Sequence, residues 1–149
     1  MDNTDRRILD ILQSDAGLSM NELADRTSLS KTAVWRRVRS LEQQGVIRRR
    51  VTLLDAEALG FSLTVFALVR TNQHSDQWFA SFRRAVEAVP EILEFHRTSG
   101  DIDYLLKVVA RDMRHYDEIY MRLIRELDFA DISSTFVMET LTARTELPI

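Results

Sequence analysis

The chain has 149 residues, of which 45% are hydrophobic and 29% are charged, and it contains no cysteine. This composition is typical of a globular protein, and it excludes a disulfide framework and a thiolate metal site. No apolar run approaches the roughly 18 residues that a membrane span needs, and the first residues lack the apolar core of a signal peptide. We therefore expect a cytoplasmic protein with no membrane partner.

The net charge of −3 hides an uneven distribution of charged residues. Residues 1–50 hold ten basic and seven acidic side chains, whereas residues 51–149 hold ten and sixteen. Positive charge is most concentrated over residues 31–50, where seven basic residues accompany a single acid, Glu42. Because phosphate attraction at ordinary salt acts over about 10 Å, this local basic segment matters more for nucleic-acid binding than the total charge.

The first three predicted elements are helices. The first spans residues 5–13 with one apolar face, and the second begins at an SMNE capping box that starts at Ser19. The third spans residues 29–45, with Ser30 as its N-cap and Gly45 in the left-handed position that ends it. Three helices of this kind, the last two joined by a short turn, predict a helix-turn-helix whose third helix enters a major groove.

The third helix has one apolar and one cationic face. At 100° per residue, the apolar face carries Val34, Val38 and Leu41. Trp35 lies on the border, and the opposite face carries Thr32, Arg36, Arg39 and Gln43. Taken alone, such a face is as typical of a solvated basic helix as of a helix that binds nucleic acid.

A β-rich run follows over residues 46–54 and predicts a short wing or exit strand. It contains Arg48, Arg49 and Arg50, which either contact phosphate or form a solvated strand edge that discourages pairing. Residues 55–60 then predict a brief helical turn that links two domains.

The remaining residues predict the element order βαββαβ. Strands are predicted at residues 61–70, 92–99, 104–110 and 132–141, and helices at residues 76–89 and after the N-cap Asp112. The second of these helices turns inward an apolar face that extends to Leu127. The order is that of a ferredoxin-like fold, in which both helices cover one face of a four-stranded antiparallel sheet. Because the first strand is apolar on both sides, we expect a second copy to cover the open face and form a homodimer.

Four segments of the chain carry a family resemblance: DRRILDILQSDAGLSMNELADRTSLS, LSKTAVWRRVRSLEQQGVI, the turn SGDIDYLL and the closing TFVMETLTARTELPI. In this order they resemble the Lrp/AsnC family, the feast/famine transcription regulators of bacteria and archaea. The fold class expected is α+β, with a winged helix-turn-helix domain over residues 1–54, a linker over residues 55–60 and a ferredoxin-like RAM domain over residues 61–149. The resemblance implies double-stranded DNA as partner, dimers that often assemble into octamers of four dimers, an amino acid or related metabolite as effector, and no other cofactor.

The basic residues receive separate roles in DNA binding. Thr32, Arg36 and Arg39 are predicted to reach base edges, and phosphate is predicted to be held by Lys31, Arg37, Arg48, Arg49 and Arg50. The ring of Trp35 either packs against the core of its own domain, which we favour, or lies against the DNA backbone. Lys31 stands where the family frequently has proline, which should strengthen phosphate contact.

The resemblance places the effector at the turn of residues 99–104 and at the start of the last strand, residues 133–136. Asp101 or Asp103 would supply an anion for an amino acid's ammonium group, and backbone N–H groups beside Gly100 would supply donors for its carboxylate. The alternative is that this segment is only a hairpin turn with the two aspartates as turn formers. The predicted effector contacts are His96, Ser99, Gly100, Asp101, Ile102, Asp103, Tyr104, Ser134, Thr135 and Phe136.

Two residues in the second half depart from the family pattern. Ile102 stands where an aromatic residue is usual and alters the wall of the pocket, so the family's effectors are not carried over to this chain. Thr142 replaces a frequent lysine. His96 lies within a predicted strand, either as a structural or pocket-lining residue or as an effector contact.

The alternative function is a metabolite-binding module or a small enzyme of ferredoxin-like fold without specific DNA binding. His74, His96 and His115 are far apart with no metal-ligand spacing, and the chain has no phosphate-cradling glycine loop or nucleophile motif. We therefore predict a sequence-specific DNA-binding regulator and not an enzyme, with no catalytic residue and no metal site.

Overall fold

The computed structural model describes residues 1–125 and 129–149, which form two compact units. The first unit is Met1–Leu53 together with Leu141–Ile149, and the second is Leu54–Thr140. The closing segment Leu141–Ile149, which the predicted limits assign to the second domain, therefore makes its contacts with the first. Within the described residues, no helix is long and apolar enough to cross a membrane.

Three helices build the first unit: α1 (Asn3–Ser14), α2 (Met20–Thr27) and α3 (Lys31–Gln43). α2 begins at the predicted capping box, since the Ser19 hydroxyl accepts the Glu22 N–H at 3.3 Å and the Glu22 carboxylate accepts the Ser19 N–H at 2.8 Å. α1 begins two residues earlier than predicted because Asp2 and Asp5 form a second capping box. The core shared by the three helices contains Ile8, Leu12, Leu23, Ala24, Val34 and Val38.

The turn between α2 and α3 is short, with one residue that ends α2 and another that caps α3. Ser28 adopts the left-handed conformation, with φ 57° and ψ 38°, and ends α2. Ser30 then caps α3 by accepting the Ala33 N–H at 3.2 Å. At the far end of α3, Gly45 has φ +72° and the Val46 N–H reaches back to the Leu41 carbonyl at 3.0 Å, which is a Schellman ending. The predicted helix-turn-helix is confirmed.

The predicted strand over residues 46–54 is wrong for this chain. Residues 48–54 lie outside every helix and strand, and each of them is exposed. A β-prone run becomes a strand only when a neighbouring strand takes its N–H and C=O groups, and the first unit offers it none among its described residues. The turn predicted at residues 55–60 is present, with the Gly60 N–H bonded to the Glu57 carbonyl at 2.8 Å.

The second unit has the predicted βαββαβ order. Its elements are β1 (Leu63–Arg70), α4 (Asp76–Glu87), β2 (Ile92–Arg97), β3 (Tyr104–Ala110), α5 (Met113–Ile124) and β4 (Asp131–Phe136). The strands form one antiparallel sheet in the order β2-β3-β1-β4, which is the ferredoxin-like topology. The predicted inward position of Leu127 lies outside the described residues.

β4 ends at Phe136, five residues before the predicted end at 141. Its partner β1 begins at Leu63, and the last backbone bond of the pair joins the Val137 N–H to the Thr64 carbonyl at 2.9 Å. In the part of the chain that the structure describes, no strand pairs with residues 138–141, so the apolar Val137, Met138 and Leu141 do not extend β4.

Both helices of this unit pack on the same face of the sheet. Val65, Ala67 and Val69 alternate toward a core that also contains Phe82 from α4 and Ile119 from α5. Phe82 is fully buried, and burying a ring of this size contributes about 1.5–3 kcal/mol relative to leaving it exposed. The other face carries the intervening residues of each strand, including Phe66, Leu68, Leu105 and Lys107.

Candidate functional site

The outward face of α3 is cationic, and its basic side chains lack carboxylate partners among the described residues. Lys31, Thr32, Arg36 and Arg39 are all exposed, while Val34, Val38 and Leu41 on the inner face are buried. Within residues 1–125 and 129–149, no carboxylate lies within ion-pair distance of Lys31, Arg36 or Arg39. The helix that the sequence predicts for recognition therefore presents uncompensated positive charge to solvent.

The favoured interpretation of Trp35, that its ring packs on the core, is wrong. The side chain is 55% exposed. Val34 and Val38 already fill the space under α3, and Trp35 points about 100° away from Val34 around the helix. The ring is thus available at the same surface as the free cations.

Arg37 differs from its neighbours because its charge is already paired. Its Nη1 lies 2.7 Å from Asp5 Oδ1 and 2.8 Å from Asp2 Oδ2, and the other oxygen of each carboxylate belongs to the capping box of α1. The hydrogen bonds that Arg37 donates to Asp5 and Asp2 raise the pKa of its guanidinium. Those from the Asp5 N–H and from Arg37 lower the pKa of the Asp2 carboxyl. The predicted phosphate contact of Arg37 would have to compete with two carboxylates.

The three arginines that follow α3 lie in the exposed segment of residues 48–54. Arg50 Nη2 is 3.5 Å from Glu42 Oε1, which is a long, solvent-exposed ion pair. Arg48 and Arg49 have no such partner among the residues that the structure describes. They extend the cationic surface beyond the end of α3.

The turn predicted to hold an effector is fixed by hydrogen bonds that its backbone carbonyl groups accept. Gly100 has φ +114°, a conformation that a residue with a side chain rarely adopts. Thr98 closes the turn, because its N–H donates to the Asp103 carbonyl at 2.9 Å and its hydroxyl donates to the Ile102 carbonyl at 2.6 Å. Arg70 Nε donates to the Asp101 carbonyl at 2.7 Å. Arg70 carried no sequence signal, because its position beside the turn arises only from strand pairing.

Asp101 and Asp103, which the sequence left equivalent, have different surroundings. Asp103 Oδ2 accepts the N–H of buried Thr71 at 2.8 Å, and the Asp103 N–H donates to the Val69 carbonyl at 2.9 Å. Asp101 is exposed, and its carboxylate has no hydrogen-bond partner in the described part of the chain. Asp103 therefore holds the turn, and Asp101 is the carboxylate that is open to a ligand.

Tyr104, Ser134 and Phe136 face the helices and not the open side of the sheet. The Tyr104 ring is buried and lies 5.2 Å from the Phe82 ring. The Ser134 Oγ is 2.6 Å from the Tyr116 hydroxyl, and the Phe136 ring is 5.4 Å from the Tyr116 ring. Within the single chain, Tyr104 therefore belongs to the core, and the half-buried Ser134 and Phe136 pack beside Tyr116.

The remaining predicted contacts lie in the turn or on the open face. Ser99 is exposed, Ile102 is half-buried, and Thr135 pairs with Phe66 on the face away from the helices. His96 is exposed on that same face, with Nε2 3.0 Å from Glu94 Oε2. Since His96 and Ser134 lie on opposite faces of the sheet, the predicted set is not brought together within one chain. Among the described residues, no group of three or more His, Cys, Asp or Glu could hold a metal ion.

Two family models match the chain, one for each half. Residues 64–147 match the Lrp/AsnC ligand binding domain, and residues 1–48 match a winged helix-turn-helix DNA-binding domain. The chain belongs to the Lrp/AsnC family. The predicted resemblance and the predicted α+β fold class are confirmed, and the chain is a DNA-binding transcriptional regulator of this family.

Individual Lrp/AsnC proteins match over nearly their whole length. The chain is 45% identical over 149 residues to the glutamate uptake regulatory protein of Zymomonas mobilis, covering 100% of this chain and 91% of that protein. It is similar to the crystal structure of an AsnC family transcriptional regulator from Agrobacterium tumefaciens, with a TM-score of 0.95, 47% identity and coverage of 99% and 97%. A Neisseria meningitidis transcriptional regulator crystallised with L-Met gives a TM-score of 0.94, 30% identity and coverage of 99% and 96%.

Proposed function

We propose that this regulator binds duplex DNA as a homodimer by inserting α3 of each copy into the major groove. The observation that carries the proposal is the outward face of α3, where Lys31, Arg36 and Arg39 are exposed and have no carboxylate partner among the described residues. A cationic face held by a well-capped helix suits insertion between phosphate backbones, because the charges need not leave internal partners to bind.

We assign base contacts and phosphate contacts according to where each residue lies on α3 or after its end. Thr32, Arg36 and Arg39 read base edges, because they project from the middle of the exposed face. Lys31 at the start of α3, with Arg48 and Arg49 beyond its end, holds phosphate on either side. The exposed Trp35 ring lies against the DNA backbone. Arg37 orients α3 through Asp2 and Asp5 in place of the phosphate contact expected from sequence.

The test compares Arg36→Ala with Arg49→Ala on the chain's own upstream DNA and on a random duplex of equal length. Arg36→Ala should cost about 1–3 kcal/mol on the specific duplex and little on the random one, because a base contact discriminates between sequences. Arg49→Ala should weaken both duplexes alike and reduce the slope of log affinity against log salt by about one. Fluorescence anisotropy at four salt concentrations measures both quantities.

Arg84→Ala serves as the matched control, because Arg84 is an exposed arginine on α4 in the second unit. It should leave affinity and salt slope unchanged. Equal losses on specific and random DNA for Arg36→Ala would refute the reading role of Arg36. The absence of any specific complex for the wild-type chain would favour the alternative of a metabolite-binding module.

We further propose that the homodimer forms on the open face of the sheet. Phe66, Leu68 and Leu105 make that face apolar, and each is only half-buried in the single chain. An apolar sheet face of this kind marks a protein interface, and a second copy would duplicate α3 for a two-fold symmetric site. Assembly of four dimers into an octamer would extend the same arrangement.

The turn at residues 99–104 is proposed to bind an amino acid. The exposed carboxylate of Asp101 would pair with the ammonium group, and backbone N–H groups beside Gly100, which is held at φ +114°, would receive the carboxylate. The L-Met complex of the Neisseria meningitidis regulator supports an amino acid as the class of ligand.

A thermal-shift screen of the twenty amino acids tests the effector proposal. A ligand at 100 times its Kd stabilises the protein by about 2.7 kcal/mol, so a specific amino acid should raise the melting temperature measurably. Asp101→Asn should abolish that rise, because it removes the anion and keeps the shape of the side chain. Asp117→Asn, an exposed carboxylate on α5, is the control and should keep the rise. A full response in Asp101→Asn would contradict the assignment.

A further inference from the structure

Hydrogen bonds with Gln13 hold the closing segment of the chain, Leu141–Ile149, on the first unit. Gln13 Nε2 donates to the Leu147 carbonyl at 2.9 Å, and Gln13 Oε1 accepts the Leu147 N–H at 2.9 Å. The side-chain amide therefore satisfies both backbone groups of one residue 134 positions away, as a neighbouring strand would. We call this pair of hydrogen bonds between Gln13 and Leu147 the clasp. Gln13 lies in the last turn of α1, so the clasp joins the closing segment to a packed helix.

The segment lies along a groove of about 440 Å³ in the first unit. Leu147 is 69% exposed and Ile149 is 44% exposed, so apolar burial contributes little and the clasp is the more specific contact. The walls of the groove come from α1, from the residues after α3 and from the closing segment. They include Leu12, Ala16, Ile47, Val51, Leu147 and Ile149.

The same groove is bordered by Arg48, Arg49 and Arg50. Within the described residues, the backbone of residues 48–54 neither donates nor accepts a hydrogen bond, and only Arg50 has an ion pair, at 3.5 Å to Glu42. A segment without backbone partners is mobile unless neighbouring residues pack against it. The closing segment is the neighbour that the structure places beside these arginines.

We propose that Leu141–Ile149 is a strap that orders the arginine segment for phosphate contact, with the Gln13 amide as its fastening. The proposal rests on the proposed function, since it concerns the affinity of the same DNA surface. With the strap fastened, Arg48 and Arg49 are restricted before DNA arrives, and binding costs less ordering. Two exposed hydrogen bonds are weak enough to open, so the strap can detach without unfolding the core of the first unit.

The experiment uses full-length variants that break the clasp from each side. Gln13→Ala removes the side-chain amide, and Leu147→Pro removes the backbone N–H that donates to Gln13 while altering a largely exposed side chain. Ser14→Ala is the matched control, because Ser14 is an exposed neighbour on α1 whose hydroxyl, among the described residues, bonds only to the Asp10 carbonyl. None of the three residues has a role in the proposed DNA contacts.

Hydrogen–deuterium exchange without DNA gives the first readout. Gln13→Ala and Leu147→Pro should each speed exchange by about five-fold in the peptides covering residues 141–149 and 48–54, and the double variant should add little. Ser14→Ala should match the wild-type chain. Unchanged exchange in both single variants would overturn the strap without affecting the proposed function.

Anisotropy with specific and random duplexes gives the second readout. Gln13→Ala should weaken both complexes by about three-fold or more and keep their ratio constant. Faster exchange with unchanged DNA affinity would overturn the ordering of the arginines, although the strap would exist. A wild-type chain that binds no DNA would refute the proposed function and, with it, the role of the strap in binding, whereas the exchange result is independent of that failure.

Discussion

Ser28, in the turn of the helix-turn-helix, adopts a left-handed conformation that favours glycine. Its φ is 57°, and the Leu29 N–H donates to the Ala24 carbonyl at 3.0 Å across the end of α2. The Ser28 side chain is exposed and has no hydrogen bond with any described residue. Ser28→Gly should therefore relieve strain without removing a contact.

Two opposing effects determine the magnitude of this change. A non-glycine residue in the left-handed region costs about 1–2 kcal/mol, which glycine avoids. Glycine loses about 0.5–1 kcal/mol more conformational entropy on folding. The net expectation is a stabilisation of about 0.5–1 kcal/mol, which corresponds to a rise of about 2–8 °C in the melting temperature of a unit of this size.

Differential scanning calorimetry of the full chain measures this rise in the transition of the first unit, and urea unfolding followed by circular dichroism gives the free energy of unfolding. Ser28→Ala is the control, since it removes the hydroxyl but keeps the strained conformation, and it should stay within about 0.5 kcal/mol of the wild-type chain. Equal stability of Ser28→Gly and Ser28→Ala, or a loss of stability in Ser28→Gly, would refute the reasoning.

Two further predictions concern the second unit. Burial opposes the charge of Glu91, but hydrogen bonds from its own backbone N–H, Arg122 and His115 outweigh it and hold the pKa of this carboxyl below the ordinary 4.5. Its stabilisation is therefore complete above about pH 4.5 and lost as the pH falls through the lowered pKa, so Glu91→Gln should flatten the acid limb of the stability curve measured by urea unfolding. Ser134→Ala should cost about 1–3 kcal/mol in the same assay, because the buried Tyr116 hydroxyl loses its partner at 2.6 Å.

Each of these two predictions has a control on the same element or beside it. Glu118→Gln removes an exposed carboxylate of α5 and should keep the acid limb of the wild-type chain. An acid limb of Glu91→Gln that follows the wild-type curve would show that other carboxylates cause it. Ser133→Ala alters the exposed neighbour in β4 and should be neutral. A stable Ser134→Ala variant that has lost its amino-acid response would return Ser134 to the effector site.

Local signals in the sequence were sufficient for the helix-turn-helix and for the order of the second unit. Ser30 and Gly45 define the ends of α3 because capping depends on residues within one turn. Residues 61–70 predicted a strand that is apolar on both faces, and the structure pairs β1 with a neighbouring strand at each edge. The spacing of apolar residues and the capping of helices depend on residues close together in the chain, so a single sequence is enough to find them.

The sequence did not reveal partners that lie far away along the chain. Arg37 looked like a phosphate contact because nothing near it in sequence reveals that Asp2 and Asp5 hold it. For Trp35 the core was favoured over the DNA backbone, whereas its ring is 55% exposed and the buried residues of α3 are Val34, Val38 and Leu41. Ser134 was placed in the effector site by its position in β4, but strand register turns it toward Tyr116. A one-residue difference in register moves a side chain to the opposite face.

The pairing of Arg37 with the start of α1 has a consequence for the rotation of α3 about its own axis. Side-chain tips lie about 5–6 Å from a helix axis, so a roll of about 20° displaces them by about 2 Å. That displacement is enough to break a hydrogen bond between an arginine and a base edge. The ion pairs of Arg37 Nη1 with Asp2 Oδ2 at 2.8 Å and with Asp5 Oδ1 at 2.7 Å oppose such a roll. The first turn of α1 thus acts as a torsional stop for the helix that reads the DNA.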